Sequence, residues 1–397
     1  MISRRSFMGG LGATAIAGGA GAAIALPRTS TTATAAPVSG AAAALPVTIV
    51  NNSGSFNNGD VRVYIVGTDL GTGQQVHVNA DGAMVPVQAS DNTDDGYTDY
   101  ALPLSDSGDT SLTLPSPMSG RIYFALGDKL RFKVVEAGDG SPALAYPAGW
   151  VESDPNFGVL HDTVEFTHQD DGMYCNTTTV DQFSVPIAIR LTGEQDQSTG
   201  ALVEGGRDAI FEAVAALPDY SPLVVGDGTR IIAPGHGLDQ GLFSDSYFAG
   251  YIDEVWARYA STDLSVTTNE GTFIGRVDGS DQLVFDGGFS PIAKPTTRDV
   301  LFCDGALAAP NDGALGPVAA ILGAALNRAT LLDSADQPTD DPAGFYTGDI
   351  ANHYARVMHE FAEDGRAYGF AFDDVGGFAS YIQDHAPQSF TITLDPF

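Results

Sequence analysis

The sequence predicts a mainly β protein, in which a β-sandwich or barrel domain carries an inserted mixed α/β domain with a wide cleft between them. Three observations predict it. Short runs rich in Val, Ile, Tyr and Thr recur at roughly ten-residue spacing through residues 46–190. Helical patterns appear beyond residue 205, and β texture returns from residue 366 to the end.

The first 35 residues have the layout of a twin-arginine signal peptide. Arg4 and Arg5 precede a weakly apolar Ala/Gly run, and an Ala-x-Ala cleavage pattern lies at residues 33–35. We therefore expect a secreted protein that is exported by the twin-arginine route and cleaved at this pattern. A transmembrane helix fits less well, because the run is rich in Gly and a polar stretch follows it.

Residues 36–195 are predicted to form the β-rich domain that carries the catalytic strands. Runs such as "DVRVYIVGTD" and "GRIYFALG" are separated by turns of Asn, Asp and Gly. This regular spacing favours a sandwich or a barrel.

A change of texture predicts a mixed α/β insert over residues 196–365. Apolar residues recur at helical spacing in "RDAIFEAVAALPDY" and "SDSYFAGYIDEVWARYA", with short apolar strands between such stretches. Residues 366–397 are predicted to be C-terminal strands that rejoin the β-rich domain. The groove between the two parts would be the natural binding site.

The charge of the chain argues against two classes of partner. Fifty acidic residues stand against eighteen basic ones, which gives a net charge of −32, and lysine occurs only at Lys129, Lys133 and Lys294. Such a surface repels nucleic acid and anionic membranes. The composition resembles that of proteins exported by salt-loving archaea, because concentrated salt screens repulsion among surface acids. We expect a monomer from such a source.

The two cysteines, Cys175 and Cys303, do not form a disulfide framework. One bridge between these distant segments would suit an exported protein. Two buried free thiols fit the sequence equally well.

Two carboxylates lie in the stretch 164–183, which begins with the alternation of a strand. Glu165, Thr167 and Gln169 share one face, and the opposite face is that of a core strand. After a turn, "TTTVDQFSVPIAIRL" predicts a returning strand with Asp181 near its start. Strict alternation would place Asp181 on the apolar side, and Pro186 indicates a bulge or edge that changes the phase.

Glycoside hydrolysis needs two carboxyl groups that flank one bond. They lie about 6.5–9.5 Å apart in inverting enzymes and about 5–5.5 Å apart in retaining ones. Diagonal neighbours on paired antiparallel strands lie roughly 7–8 Å apart, so Glu165 and Asp181 on adjacent strands would meet the inverting requirement. The alternative is a pair of solvated surface acids, and spacing alone favours this alternative.

Several segments of the chain resemble glycoside hydrolase family 64, the laminaripentaose-producing β-1,3-glucanases related to thaumatin-like proteins. They are "VEFTHQ" and "CNTTTVDQFSVPIAIRL", followed downstream by "LFCDGAL", "ANHYARVMHEF" and "YGFAFDDVGG". The resemblance runs over most of the chain beyond the signal segment. It implies a thaumatin-like sandwich or barrel, a mixed α/β part and a wide cleft.

The resemblance also implies inverting hydrolysis of laminarin- or curdlan-type β-1,3-glucan to short oligosaccharides such as laminaripentaose. Glu165 would be the general acid and Asp181 the general base. Polar residues around this pair would bind successive glucose units, and the matching positions are Thr167, Gln169, Asn176 and Thr178, with Tyr174 as a sugar platform.

Asp373 and Asp374 in "FAFDDVGG" have two interpretations of equal weight. The thaumatin-like resemblance implies an acidic cleft to which this segment contributes. The other interpretation is a solvated turn before two glycines.

A rival function is a non-catalytic thaumatin-like β-glucan-binding or cell-surface protein, since fold does not determine function. The two acids favour an enzyme, because a binding protein needs neither. No cofactor or metal is expected. His353 and His359 lie six residues apart on a predicted helix and lack the H-E-x-x-H spacing of a zinc site.

Overall fold

The computed structural model describes residues 44–397. The predicted signal segment therefore lies outside the described residues. Strands dominate the first half of the described chain. They are β1 (Leu45–Asn51), β2 (Val61–Asp69), β3 (Gln75–Val78), β4 (Met84–Pro86), β5 (Leu102–Pro103), β6 (Thr110–Leu114), β7 (Met118–Leu126), β8 (Lys133–Glu136), β9 (Pro142–Ala145), β10 (Leu160–Gln169), β11 (Gly172–Thr177), β12 (Gln182–Phe183), β13 (Ile187–Thr192) and β14 (Asp196–Thr199).

Helices and strands alternate in the second half, and the chain ends in strands. The elements are α1 (Gly206–Ala215), β15 (Val224–Val225), β16 (Arg230–Ile232), α2 (Pro234–Asp239), α3 (Ala249–Tyr259), β17 (Leu264–Thr268), β18 (Gly271–Val277), β19 (Gln282–Phe285), β20 (Ile292–Ala293), α4 (Thr297–Phe302), α5 (Leu315–Asn327), β21 (Asp336–Gln337), α6 (His353–Phe361), β22 (Tyr381–Asp384) and β23 (Ser389–Leu394).

Two sheets pack face to face around one apolar core. The first has the order β14-β13-β23-β1-β6, and the second has the order β22-β11-β10-β7-β2-β3-β4 with β5 beside β2. Both sheets contribute to the core, for example through Ile49 and Phe390 from the first sheet and Phe124 and Phe166 from the second. The mainly β prediction is confirmed, and the arrangement is that of a β-sandwich. Neither sheet closes into a barrel within residues 44–397.

The last two strands lie inside these sheets. β22 pairs with β11 at the edge of the second sheet, and β23 lies between β1 and β13 in the first. Alternation explains why β23 fits there, because Phe390, Ile392 and Leu394 all point into the core. The C-terminus therefore contributes directly to the sandwich.

The helical region between β14 and β22 has its own core. It contains a five-stranded sheet of order β20-β19-β18-β17-β21, and a small sheet pairs β12, β16 and β15. Helix α5 is apolar on all sides and almost entirely buried, which is what a helix at the centre of a core requires. Helix α3 buries Ile252, Val255 and Tyr259 on its predicted stripe.

The predicted long strand through residue 181 is wrong. The chain leaves the second sheet after Thr177, forms the short β12 beside β16, and enters the first sheet as β13 only after Pro186. Asp181 thus lies in a crossover segment, residues 178–181, and not on a strand next to β10. The expected diagonal pairing of two acidic strands does not occur.

Both thiols are free and buried. Cys175 lies in the sandwich core and Cys303 in the helical core, so the interpretation as two free thiols fits the structure. Within residues 44–397, no helix has the length and apolar character that a membrane span requires.

Candidate active site

The face of β10 that points away from the sandwich core carries the first predicted acid. The antiparallel register places Glu165 opposite Asn176 on β11 and opposite Arg121 on β7. Val164 and Phe166 point the other way and are 0% and 1% exposed in the core. The predicted division of β10 into an apolar and a polar face is therefore confirmed.

Arg121 joins the two predicted acids. Its Nε and Nη2 donate to Oε1 of Glu165 at 3.0 and 2.8 Å, and its Nη1 donates to Oδ2 of Asp181 at 3.3 Å. Because one planar guanidinium spans the gap, the facing oxygens of Glu165 and Asp181 lie no more than about 8.5 Å apart. All three side chains are about one-fifth exposed. The structure thus brings the predicted pair together at one partly open place.

Asp181 is held from the opposite side by the start of α2. Nε2 of His236 donates to Oδ1 of Asp181 at 2.9 Å, and the backbone N–H of Ala233 donates to the Asp181 carbonyl at 3.0 Å. Burial alone would raise the pKa of Asp181, but the hydrogen bond from His236 and the charge of Arg121 outweigh burial and lower this pKa to about 2. Asp181 is therefore a carboxylate at neutral and mildly acidic pH.

The two oxygens of Glu165 have different surroundings. Oε1 accepts both hydrogen bonds from Arg121, whereas Oε2 accepts only one, from Nδ2 of Asn176 at 3.2 Å. Asn176 is fully buried, so its amide is a fixed part of the site. Oε2 therefore has fewer hydrogen-bond partners than Oε1.

The other predicted binding residues on β10 and β11 extend from this pair along the sheet. Thr167 lies opposite Tyr174, and Gln169 lies one pleat further along the same face. Thr167 is 2% exposed, and its hydroxyl is 2.8 Å from that of Ser119, so it supports the sheet surface from within. Gln169 is half-buried, and Tyr174 is 9% exposed.

Thr178 lies apart from this row. The strand has ended at Thr177, and Thr178 lines a small pocket of about 40 Å³ together with Asp162 and Tyr368. A contact between Thr178 and a bound glucan stays a prediction.

The interpretation of Asp373 as part of a solvated turn is wrong. Its side chain is completely buried and contacts Nη2 of Arg328 at 3.1 Å and Nε2 of His359 at 3.0 Å. Burial would raise the pKa of Asp373, but His359 and Arg328 outweigh it and lower this pKa. Asp373 therefore holds the helical region together.

Asp374, the next residue, lies nearer the site. It is half-buried, and its charge acts on the Tyr368 hydroxyl, as does the charge of Glu165. Burial is the larger cause, and together with these charges it raises the pKa of Tyr368. Tyr368 thus connects Asp374 to the surroundings of Glu165.

Arg121 and His236 were not among the residues predicted from the sequence. Arg121 is the single charge inside the apolar run "GRIYFALG", and a lone charge in a core strand indicates a polar partner on its face. His236 lies in "APGHG", a glycine- and proline-rich run whose composition is typical of turns. Nothing in the local sequence connects His236 with an acid 55 residues earlier.

A partly exposed pair of carboxylates is the arrangement that glycoside hydrolases use to cleave their substrates. A family model for the β-1,3-glucanases of glycoside hydrolase family 64 matches residues 43–394. The chain is 36% identical over 377 residues to a glucan endo-1,3-beta-glucosidase of Arthrobacter sp. (strain YCWD3), covering 91% of this chain and 67% of that protein.

Two solved structures are similar across almost their whole length. One is a laminaripentaose-producing β-1,3-glucanase in complex with laminaritetraose, with a TM-score of 0.81 and 35% identity, covering 89% of this chain and 99% of that chain. The other is a β-1,3-glucanase domain from Clostridium beijerinckii, with a TM-score of 0.80 and 31% identity, covering 89% of this chain and 98% of that chain. The chain belongs to glycoside hydrolase family 64, and the prediction of a β-1,3-glucanase-type enzyme is confirmed.

Proposed function

We propose that this protein is a secreted, endo-acting β-1,3-glucanase that cleaves laminarin- or curdlan-type glucan with inversion of the anomeric carbon. The products would be short oligosaccharides such as laminaripentaose.

Glu165 would act as the general acid and Asp181 as the general base. The observation that carries the proposal is the contact of Arg121 with both carboxylates, which places them on two sides of one partly open site.

The two acids have surroundings that suit different roles. Asp181 is ionised, because His236 and Arg121 hold its pKa low, so it is able to take a proton from water. Glu165 has one oxygen held by Arg121 and another that contacts only Asn176. In the proposed role, Oε2 would carry the proton that is given to the glucan, while Arg121 anchors Oε1.

The upper limit on the distance between the two carboxylates is compatible with an inverting mechanism. An attacking water needs carboxyl groups about 6.5–9.5 Å apart, and one guanidinium with its two contacts permits distances in this range. The likeness to a solved structure that holds laminaritetraose supports a β-1,3-linked substrate. The names of the curated relatives support endo action.

The decisive test uses Glu165→Gln and Asp181→Asn, which preserve shape and remove the acid and the base. We expect each variant to lose at least about 10³-fold in kcat on curdlan while it keeps its circular-dichroism spectrum. Glu360→Gln is a matched control, because Glu360 is an exposed acid on α6 that pairs with Arg356. Rapid hydrolysis by both active-site variants would refute the assignment.

Two further measurements test the finer parts of the proposal. Proton NMR during the first turnovers should show the α-anomer as the new reducing end, and the β-anomer would show retention instead.

Mass spectrometry of protein exported by an expression host should find an N-terminus near residue 36. Replacement of Arg4 and Arg5 by lysine should stop this export.

The rival function, a non-catalytic glucan-binding protein, predicts a different outcome. Such a protein would bind insoluble curdlan and release no soluble sugar from it. Pull-down with curdlan and chromatography of the supernatant separate the two possibilities in a single experiment.

A further inference from the structure

The imidazole of His236, which contacts Asp181, packs against two aromatic rings. The ring of Trp150 stacks on the imidazole with a centroid distance of 4.1 Å and an interplanar angle of 18°. Phe302 meets the imidazole edge-on at 5.5 Å and 82°. His236 is only 3% exposed, so the imidazole has little freedom to rotate and little access to a bound sugar.

The glycines on either side of His236 allow α2 to approach this closely. A Cβ atom at Gly235 would lie 3.1 Å from the Phe302 ring, and one at Gly237 would lie 2.3 Å from Cδ2 of Leu223. Larger residues would push α2 away from its neighbours. The run "PGHG" therefore places the imidazole within hydrogen-bonding distance of Asp181.

The hydrogen bonds of His236 indicate which tautomer is present. Nε2 contacts Oδ1 of Asp181, whereas Nδ1 is buried and has no partner within the described residues. A proton on Nε2 alone satisfies the one available acceptor.

The crossover segment that carries Asp181 depends on such contacts, because it has no partner strand in the second sheet. Its backbone is held by the Tyr354 hydroxyl, which donates to the Thr179 carbonyl, and by the Ala233 N–H, which donates to the Asp181 carbonyl. These bonds locate the backbone but leave the Asp181 side chain free to rotate. Only Arg121 and His236 hold its carboxylate within the described residues.

We propose that His236 is a positioning residue that fixes the carboxylate of Asp181 in the orientation needed to take a proton from the attacking water. The proposal rests on the assignment of Asp181 as the general base. His236 pins Oδ1, and Oδ2 remains toward Arg121 and Glu165. Each carboxylate oxygen has two lone pairs, so a position for water remains.

Loss of the imidazole donor would also change the acid–base behaviour of Asp181. The charged and titratable groups around this carboxylate are Arg121 and Tyr123 from β7, Glu165 from β10, His236 from α2 and Tyr354 from α6. The bond from His236 opposes burial and helps to hold the pKa of Asp181 near 2. Without this bond the pKa rises toward its ordinary value, so the base becomes protonated at higher pH.

The test is a series at position 236. His236→Phe keeps an aromatic ring between Trp150 and Phe302 and removes the N–H that donates to Asp181. We therefore expect kcat to fall about tenfold to hundredfold with little change in KM. The acid limb of the pH profile of kcat should move to higher pH. His236→Gln supplies an amide N–H near the position of Nε2 and should recover most of the activity and the original profile.

The controls separate positioning from a structural role. His353→Phe is the matched control, because His353 lies on α6 and its Nε2 bonds only to the Asp349 carbonyl. Equal loss in the Phe and Gln variants, with the acid limb unmoved, would show that His236 merely supports the fold and would overturn the proposal. Wild-type kcat and pH profile in His236→Phe would overturn it too.

These outcomes remain distinct from failure of the proposed function. If Asp181→Asn is inactive while His236→Phe is unchanged, the catalytic assignment stands and the positioning role fails. If Asp181→Asn retains activity, the catalytic assignment itself fails. Should His236→Phe not fold, His236→Gln compared with the shorter His236→Asn, whose amide falls short of Oδ1, gives the same information.

Discussion

Arg121 is the side chain that makes two neighbouring acids compatible with a folded protein. Without it, Glu165 and Asp181 would be neighbouring like charges with limited access to water and no counter-charge between them. The guanidinium is suited to this place because its fork reaches two carboxylates at once. A lysine carries the same charge but presents it at a single point.

This difference gives the first prediction at the residue scale. We expect Arg121→Lys to fold but to lose about 100-fold or more in kcat, because one acid loses its anchor and the pair loses its mutual orientation. Steady-state kinetics on laminarin and a thermal melt measure the two effects. Arg190→Lys is the matched control, since Arg190 pairs with Asp196 at an exposed edge. Wild-type kcat in Arg121→Lys would remove the bridging argument.

The low pKa of Asp181 has a definite sign in the pH profile. A depressed pKa means that the carboxylate is present above about pH 2 and is lost only as the pH falls through that value. Asp181 therefore does not limit activity on the acid side of the wild-type profile at ordinary assay pH. This is why an acid limb that appears in His236→Phe would be informative.

At the scale of the elements, one buried ionic network joins the end of α5, the helix α6 and the turn at residues 371–377. Asp373 accepts from Arg328, from His359 and from the backbone N–H of Gly369. The Arg328 guanidinium also lies over the rings of Phe345 and Phe378 at 4.7 and 5.0 Å. The network thus connects three segments that are distant in sequence.

We expect Asp373→Asn to destabilise the protein by about 3–5 kcal/mol, because it leaves the buried Arg328 charge without its counter-ion. Urea unfolding monitored by tryptophan fluorescence measures this loss. Asp374→Asn is the matched comparison, since it makes the same change at the next residue of the same turn, which is only half-buried. Equal stability of the two variants would contradict the structural role given to Asp373.

For the molecule as a whole, the excess of acids is the dominant electrostatic feature. The net charge of −32 over 397 residues produces self-repulsion that salt screens, with a Debye length of about 10 Å at 0.1 M and about 3 Å at 1 M. The relatives named above come from bacteria such as Arthrobacter and Clostridium, so a halophilic archaeal origin stays a prediction.

We expect the melting temperature to rise substantially between dilute buffer and 2 M sodium chloride, since screening relieves repulsion in the folded state. Differential scanning fluorimetry over a salt series measures the rise. Sucrose at equal osmolality is the control for general exclusion of cosolvent from the protein surface. A melting temperature that is the same in dilute buffer and in 2 M salt would end the idea of salt adaptation.

The sequence by itself determined the features that depend on local periodicity. The alternation in β10 correctly separated Glu165 from the core residues Val164 and Phe166, because side chains on a strand change face at every residue. Helical spacing of apolar residues identified the buried stripe of α3, and the recurrent short β-type runs identified the mainly β class. Resemblance of motifs then selected Glu165 and Asp181 from among fifty acids, which spacing alone did not.

Only the tertiary structure decided how Asp181 reaches Glu165 and what Asp373 does. Asp181 leaves the sheet in a crossover segment and is held by Arg121, 60 residues before it, and by His236, 55 residues after it. Asp373 is buried because Arg328 lies 45 residues earlier in the chain. The sequence does not distinguish a solvated carboxylate from a catalytic or a structural one, because the role of a carboxylate depends on which charges the fold brings to it.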